Sequence, residues 1–213
     1  MTKVISFINK KGGTGKTTSA INVATSLREM GFEVALIETD TNRSLLQVRK
    51  QELESVEYLG RGVPDIVQSD ETDAERQIVN LRREMVSFVI VDGAANMSAY
   101  AIRRISLNSD IVVVPTGLSR QEILVAERTL ADVLPACETH TKLKVVLLPN
   151  RIHFLTAPST INKILEHLRV PVMEMYIPYF KQFHHISTLK PADGYMEITN
   201  YLLKLLEMEP VLF

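Results

Sequence analysis

The stretch Asn9-Lys10-Lys11-Gly12-Gly13-Thr14-Gly15-Lys16-Thr17 gathers glycines, lysines and hydroxyl side chains in one short run. That combination suits the binding of a polyphosphate. Glycine permits the turns that aim successive backbone N–H groups, here those of Gly13, Gly15 and Lys16, at one anion. Lys16 would reach the terminal phosphates, and the Thr17 hydroxyl would enter the shell of a magnesium ion. Two carboxylates complete the chemistry. Asp40 and Asp92 each close an apolar run, Val34 to Ile37 and Val86 to Val91 respectively. An acidic residue at the C-terminal tip of a strand faces the ligand crevice of a parallel α/β sheet.

The elements around the loop fit this use. Val4 to Ile8 has strand character. From Lys16 onward, Ala20, Val23, Ala24 and Leu27 recur at helical spacing, with Gly31 as the stop. A strand, a glycine-rich loop and a helix start in that order are the context that makes a phosphate loop meaningful. The helix N-terminus adds partial positive charge at the same spot. The general phosphate-loop pattern places a glycine six positions before its lysine. Here that position holds Lys10.

With this departure, Lys11-Gly12-Gly13-Thr14-Gly15-Lys16-Thr17-Thr18 resembles the deviant phosphate-loop box of the ParA/MinD ATPases, Lys-Gly-Gly-x-Gly-Lys-Thr-Thr. The resemblance implies a single-domain, three-layer P-loop NTPase fold spanning 1–213, of α/β class, with a twisted, mostly parallel sheet and helices on both faces. It implies ATP and Mg2+ as ligands, held by Gly12, Gly13, Thr14, Gly15, Lys16, Thr17 and Thr18. Lys11 would be the signature lysine that crosses a nucleotide-sandwich dimer to the partner's phosphates. Lys11, Lys16 and Asp40 are then the catalytic candidates, with Asp40 orienting or deprotonating the attacking water. Thr17 and Asp92 would hold magnesium, Asp92 through water. The family's second acidic motif, Asp-x-Asp-Pro-Gln, is altered to Glu38-Thr39-Asp40-Thr41-Asn42, which bears on the rate of hydrolysis more than on binding. Asp40 also suits a helix cap ahead of Ser44 to Val48, and Asp92 a cap ahead of Ser98.

The bulk numbers agree with one domain. A chain of 213 residues, 46% hydrophobic, can bury a sizeable core, and its nine glycines and nine prolines are scattered. No apolar run is long enough to span a bilayer, and no secretory leader is visible. Cys137 is the single cysteine, placed passively at a helix end; its isolation fits a reducing cytoplasm and leaves no thiolate set for an iron–sulfur cluster. With a net charge of −1, any attraction to nucleic acid needs a local basic patch.

Further along, Val56 to Leu59 suggests a short strand before a Gly60-Arg61-Gly62 loop, and Asp73 to Arg83 a polar helix. Gly93-Ala94-Ala95 is a small-residue loop able to move with the terminal phosphate, as switch loops do. Ile111 to Pro115 is a strand, and Ser119 with Glu122 forms a capping box for the helix after it. Lys144 to Leu148 is another strand. Asn150 at its end is, by resemblance, the residue that contacts the adenine, while a turn asparagine satisfies the same position. A helix from Pro158 leads to a last predicted strand, Val172 to Ile177. Pro178-Tyr179-Phe180 follows as the second adenine-side loop by resemblance, and a C-terminal helix carries Ile198, Tyr201, Leu202 and Leu205. Lys181, Lys190, Arg103 and Arg104 are candidates for DNA phosphates, with scattered surface charge as the plain alternative. The pair His184-His185 lacks metal partners at ligand spacing.

Within the family the chain most resembles the small plasmid-partition ParA proteins, with only Met1 to Ile8 before the loop and no room for an N-terminal helix-turn-helix domain. The implied function is a DNA-segregation or cargo-positioning ATPase. ATP binding drives homodimer formation and non-specific DNA binding, and a centromere-binding or adaptor protein stimulates slow hydrolysis. The implied location is cytoplasmic and nucleoid-associated, without membrane. Two alternatives are weighed. A MinD-like membrane ATPase is disfavoured by the glutamates and proline of Leu205 to Phe213. A metabolic enzyme phosphorylating a small carboxylate has no general need for Lys11.

Overall fold

The computed structural model describes residues 1–42, 44–55, 62–179 and 186–208. The strands are β1 (Lys3–Phe7), β2 (Val34–Glu38), β3 (Asp65–Gln68), β4 (Phe88–Asp92), β5 (Ile111–Thr116), β6 (Lys144–Ile152) and β7 (Ile177–Pro178). They form one sheet in the order β3-β2-β4-β1-β5-β6-β7, and every strand pairing in it is parallel. Helices α1 (Lys16–Glu29), α2 (Ser44–Ser55), α3 (Ala74–Arg83), α4 (Ala99–Leu107), α5 (Arg120–Val133), α6 (Pro135–Thr139) and α7 (Pro158–Leu165) lie in the crossovers, and α8 (Tyr195–Leu205) follows β7.

Strand periodicity distributes the core into two layers. In β1, Val4 faces one cluster and Ile5 and Phe7 the other, since successive side chains leave opposite faces of a strand. On the first face lie Ile78 of α3, Ile102 of α4, Leu130 of α5 and Ile161 of α7. On the second lie Ala20, Val23 and Leu27 of α1 with Ile198 and Leu202 of α8. A sheet covered on both faces needs strands that are apolar throughout, which is why β2, β4 and β5 are buried at every position. The three-layer α/β expectation is met.

The sheet's margins depart from expectation. β3 has only Ile66 and Val67 as apolar residues and sits at the edge, so it carried no periodic signal. The predicted strand Val172 to Ile177 is broken. Val172 makes a lone bridge to Leu147, the chain bends at Glu174-Met175, and β7 is a two-residue edge strand whose pairing with β6 is irregular. Proline at Pro171 and Pro178 removes the N–H groups a continuous strand would donate. The predicted strand Val56 to Leu59, Phe180 and the Lys181 to His185 segment lie outside the described residues. The capping box is present: the Ser119 side chain accepts from the Glu122 backbone N–H, and the Glu122 side chain accepts from that of Ser119.

Candidate functional site

β1 runs through the middle of the sheet, and α1 leaves its C-terminal end through the glycine-rich loop. Phe7 of β1 lies in register with Asp92 of β4, and Glu38 of β2 with the same Asp92. That registry alone brings Asp92 beside the loop and the Asp40 segment beside Asp92.

The loop is held by its carbonyls and by its neighbours. Asn9 Nδ2 donates to Pro115 O at 2.8 Å, and Asn9 Oδ1 accepts the Lys11 amide at 2.9 Å. Arg151 Nη1 donates to Gly13 O and Asn150 Nδ2 to Thr14 O, each at 2.9 Å. A trans peptide points its N–H opposite to its C=O, so the amides of Thr14 and Gly15 turn away from those side chains. Gly13 (φ 75°) and Gly15 (φ 88°) occupy the left-handed region. At Gly15 a Cβ would also lie 2.0 Å from Asn150 Nδ2, so glycine is needed there on both counts. No side chain caps α1, whose N-cap is Gly15, and its first turn holds no acidic residue. This helix N-terminus is left open to an anion.

Lys16 is buried at the head of α1, its Nζ donating to Lys11 O at 2.9 Å. Burial lowers its pKa, partly offset by the carboxylates of Asp92 and Asp40. Asp92 is fully buried, and neither of its carboxylate oxygens has a hydrogen-bond partner among the described residues. Its pKa is pushed up to about 7, chiefly by burial; the neighbouring Thr17 hydroxyl and Lys16 pull it down, while Glu38 and Asp40 push it further up. An orphaned buried carboxylate next to a threonine hydroxyl is a donor set that suits a hard divalent cation such as magnesium.

This carboxyl gives a pH signature. Its folded pKa of about 7 lies above the ordinary value of 3.8, so the folded chain keeps a proton that the unfolded chain has released. The ligand-free protein therefore loses stability from this group as pH rises between those two values. Asp92→Asn is expected to stabilise the ligand-free chain by about 1–3 kcal/mol at about pH 8, with little gain near about pH 4, in urea unfolding. A variant less stable at both pH values would contradict the assignment of an unpaired carboxylate.

The other candidates fall in place around this centre. Gly13, Gly15, Lys16, Thr17, Thr18, Asn150 and Pro178 line one pocket of about 350 Å³. Gly12 packs beside Ala95, and Thr14 is buried with its hydroxyl donating to Lys11 O at 3.4 Å. Asn150 is buried, and its amide is engaged at both ends, by Thr14 O and by the Arg151 N–H at 2.8 Å. Asp40 accepts the Asn42 amide at 3.0 Å. The start of α2 is instead served by Glu38, whose Oε1 accepts from Ser44 Oγ and Leu45 N at 3.0 Å. Ser98 caps α4, so Asp92 is not spent on that task. Lys11 Nζ lies 3.9 Å from Glu122 Oε1, and Lys10 is ion-paired with Asp132.

Arg151 escaped the sequence reading, whereas Tyr179 belongs to the loop that the resemblance placed on the adenine side. The Arg151 guanidinium stands 5.3 Å over the Tyr179 ring, and both line the pocket. Only the position of Arg151 directly after Asn150 could have pointed to it. Of the proposed DNA contacts, Arg103 and Lys190 are exposed, Arg104 Nε is tied to Glu75 at 2.6 Å, and Lys181 lies outside the described residues. Among the described residues no cluster of side chains suits a metal by itself, and no helix is long and apolar enough to cross a membrane.

Comparison with known proteins adds a family. The CobQ/CobB/MinD/ParA nucleotide binding domain matches over residues 5–188. Maintenance of carboxysome distribution protein A of Halothiobacillus neapolitanus is 25% identical over 166 residues, covering 78% of this chain and 74% of that protein. Protein virC1 of Rhizobium radiobacter is 25% identical over 179 residues, covering 82% and 76%. Among solved structures, cobyrinic acid a,c-diamide synthase from Mycobacterium smegmatis with bound ADP and magnesium matches with a TM-score of 0.72 over 100% of both chains. At 19% identity that likeness concerns the fold alone.

Proposed function

Because this chain belongs to the CobQ/CobB/MinD/ParA nucleotide-binding family, we propose that it is a magnesium-dependent ATPase that positions a cargo through cycles of dimerisation and DNA binding. The observation that carries the nucleotide step is the pairing of buried Lys16 with the unpartnered Asp92 carboxylate beneath the open N-terminus of α1. Lys16 would neutralise the terminal phosphates, and the loop amides would hold them. Thr17 and Asp92, the latter through water, would hold Mg2+, which spreads the charge that develops on a phosphoryl group during transfer. Asp40 would orient or deprotonate the attacking water from its place beside Lys16.

The dimer step rests on Lys11. Among the described residues its ammonium is held only by a long, partly exposed contact to Glu122. Such a pair contributes about 0–1 kcal/mol, so exchanging it for a partner's phosphate costs little. The positioning role is supported by the resemblance to small partition ATPases and by the relative whose name refers to carboxysome distribution. Adenine would sit in the pocket between Asn150 and Pro178, with Arg151 and Tyr179 beside it.

DNA binding is tested by fluorescence anisotropy of a labelled duplex of arbitrary sequence. Binding is expected with Mg2+ and a non-hydrolysable ATP analogue, and not with ADP. For about four phosphate contacts, raising salt from about 50 mM to about 200 mM should weaken it about 100-fold through counterion release. Affinity that ignores both nucleotide and salt would count against the DNA step.

A further inference from the structure

Thr39 stands between two residues with evident tasks, Glu38 and Asp40, and its own side chain is 2% exposed. Its hydroxyl donates to the Asp92 carbonyl at 2.9 Å and accepts the Ala94 amide at 2.7 Å. Its backbone N–H donates to the same Asp92 carbonyl at 3.1 Å. The loop that follows β4 is thus bound to β2 by one hydroxyl. On its other side this loop is tied to the phosphate-loop strand: the Gly93 amide donates to Phe7 O at 3.0 Å and the Asn96 amide to Lys10 O at 3.2 Å. Gly93 has no slack, since a Cβ there would lie 2.8 Å from Phe7 O.

Asp40 is therefore steered from both sides. Glu38 fixes the chain toward α2 through Ser44 and Leu45, and Thr39 fixes it to the loop from Gly93 to Asn96. We propose that Thr39 is a positioning residue that couples the loop after Asp92 to the placement of Asp40, so that nucleotide state sensed at one is transmitted to the other. The proposal rests on the ATPase reading above and goes beyond it. Among the described residues no other side chain at the end of β2 is hydrogen-bonded to that loop.

Valine matches threonine in shape and branching and removes both hydroxyl bonds, stranding the Ala94 N–H. Serine keeps the hydroxyl. The test uses the full chain as wild type, Thr39→Val and Thr39→Ser, with Thr39→Ala as a second deletion of the hydroxyl. Hydrogen exchange by mass spectrometry is read over segments 38–45 and 92–98, with Mg2+ and either ADP or a non-hydrolysable ATP analogue. Single-turnover ATP hydrolysis is measured beside it.

In the wild type, the analogue should slow exchange in both segments relative to ADP. In Thr39→Val the change at 92–98 should remain and that at 38–45 should disappear. Hydrolysis should fall at least about tenfold while analogue affinity moves less than about threefold, and Thr39→Ser should recover both. If valine unfolds the chain, alanine against serine decides the same question. Wild-type hydrolysis in both hydroxyl-deleted variants would overturn the proposal and leave the ATPase reading standing; so would equal loss in the serine variant. A wild-type chain that neither binds nor hydrolyses ATP would overturn both.

Discussion

Lys16→Ala is expected to weaken Mg–ATP binding at least about 100-fold, the largest single effect on the site, because a charge-assisted contact to phosphate is lost from a partly desolvated position. The ammonium is buried, and burial disfavours its charge, so the surrounding carboxylates of Asp92 and Asp40 help to keep it protonated. Removing it takes away the cation that meets the phosphates. It also leaves Asp92 facing the negative charges of Glu38 and Asp40 with no cation to offset them among the groups that shift it. Alanine at the start of α1 has a high helix propensity, so the helix itself should persist. Calorimetric titration reads the loss directly. Affinity within a few-fold of wild type would mean that Lys16 faces its own loop carbonyl for structural reasons alone.

The second large effect is expected at Lys11. Lys11→Ala should bind ATP within about threefold of wild type, since its side chain is directed to Glu122 and not into the nucleotide pocket. Its folding stability should move by no more than about 0.5 kcal/mol, as befits loss of a long surface pair. Nucleotide-dependent self-association, however, should weaken at least about 30-fold, because the lysine proposed to cross to the partner's phosphates is gone. Sedimentation velocity with the non-hydrolysable analogue separates the two quantities. A variant that dimerises as well as wild type would refute the role assigned to Lys11.

Much of the candidate site was legible because it is local. The phosphate loop lies between one strand and one helix, and Asp92 ends an apolar run that registry then places beside it. The Ser119–Glu122 box was readable for the same reason. What could not be read are pairings across long stretches of chain. The Asn150 amide reaches Thr14, and Arg151 reaches Gly13, contacts that exist only because β6 follows β5 on one side of β1. In sequence, Glu38 stands at the first aspartate of the family's acidic motif and keeps its charge. The structure gives it separate work at the head of α2, with Gln68 of β3 donating to its other oxygen. β3 itself was missed because an edge strand with two half-buried apolar residues leaves no run to detect.

The altered Thr41-Asn42 pair also gains a physical account. Asn42 donates its amide to Asp40, closing a tight turn that any residue with a backbone N–H can make, whereas proline lies one step earlier in the family motif. The departure thus leaves Asp40 in a defined turn beside Lys16. It directs attention to turnover, the step proposed for Thr39 and Asp40, ahead of binding, the step proposed for the loop and Asp92.

The most direct test of magnesium-dependent ATP binding is a calorimetric titration of the unmodified chain with ATP, with magnesium present and then chelated. Saturable binding tighter than about 100 μM is expected with magnesium, clearly weakened without it and equally weakened in Asp92→Asn. Failure to bind at about 1 mM ATP with magnesium, or binding indifferent to both the metal and Asp92, would contradict it.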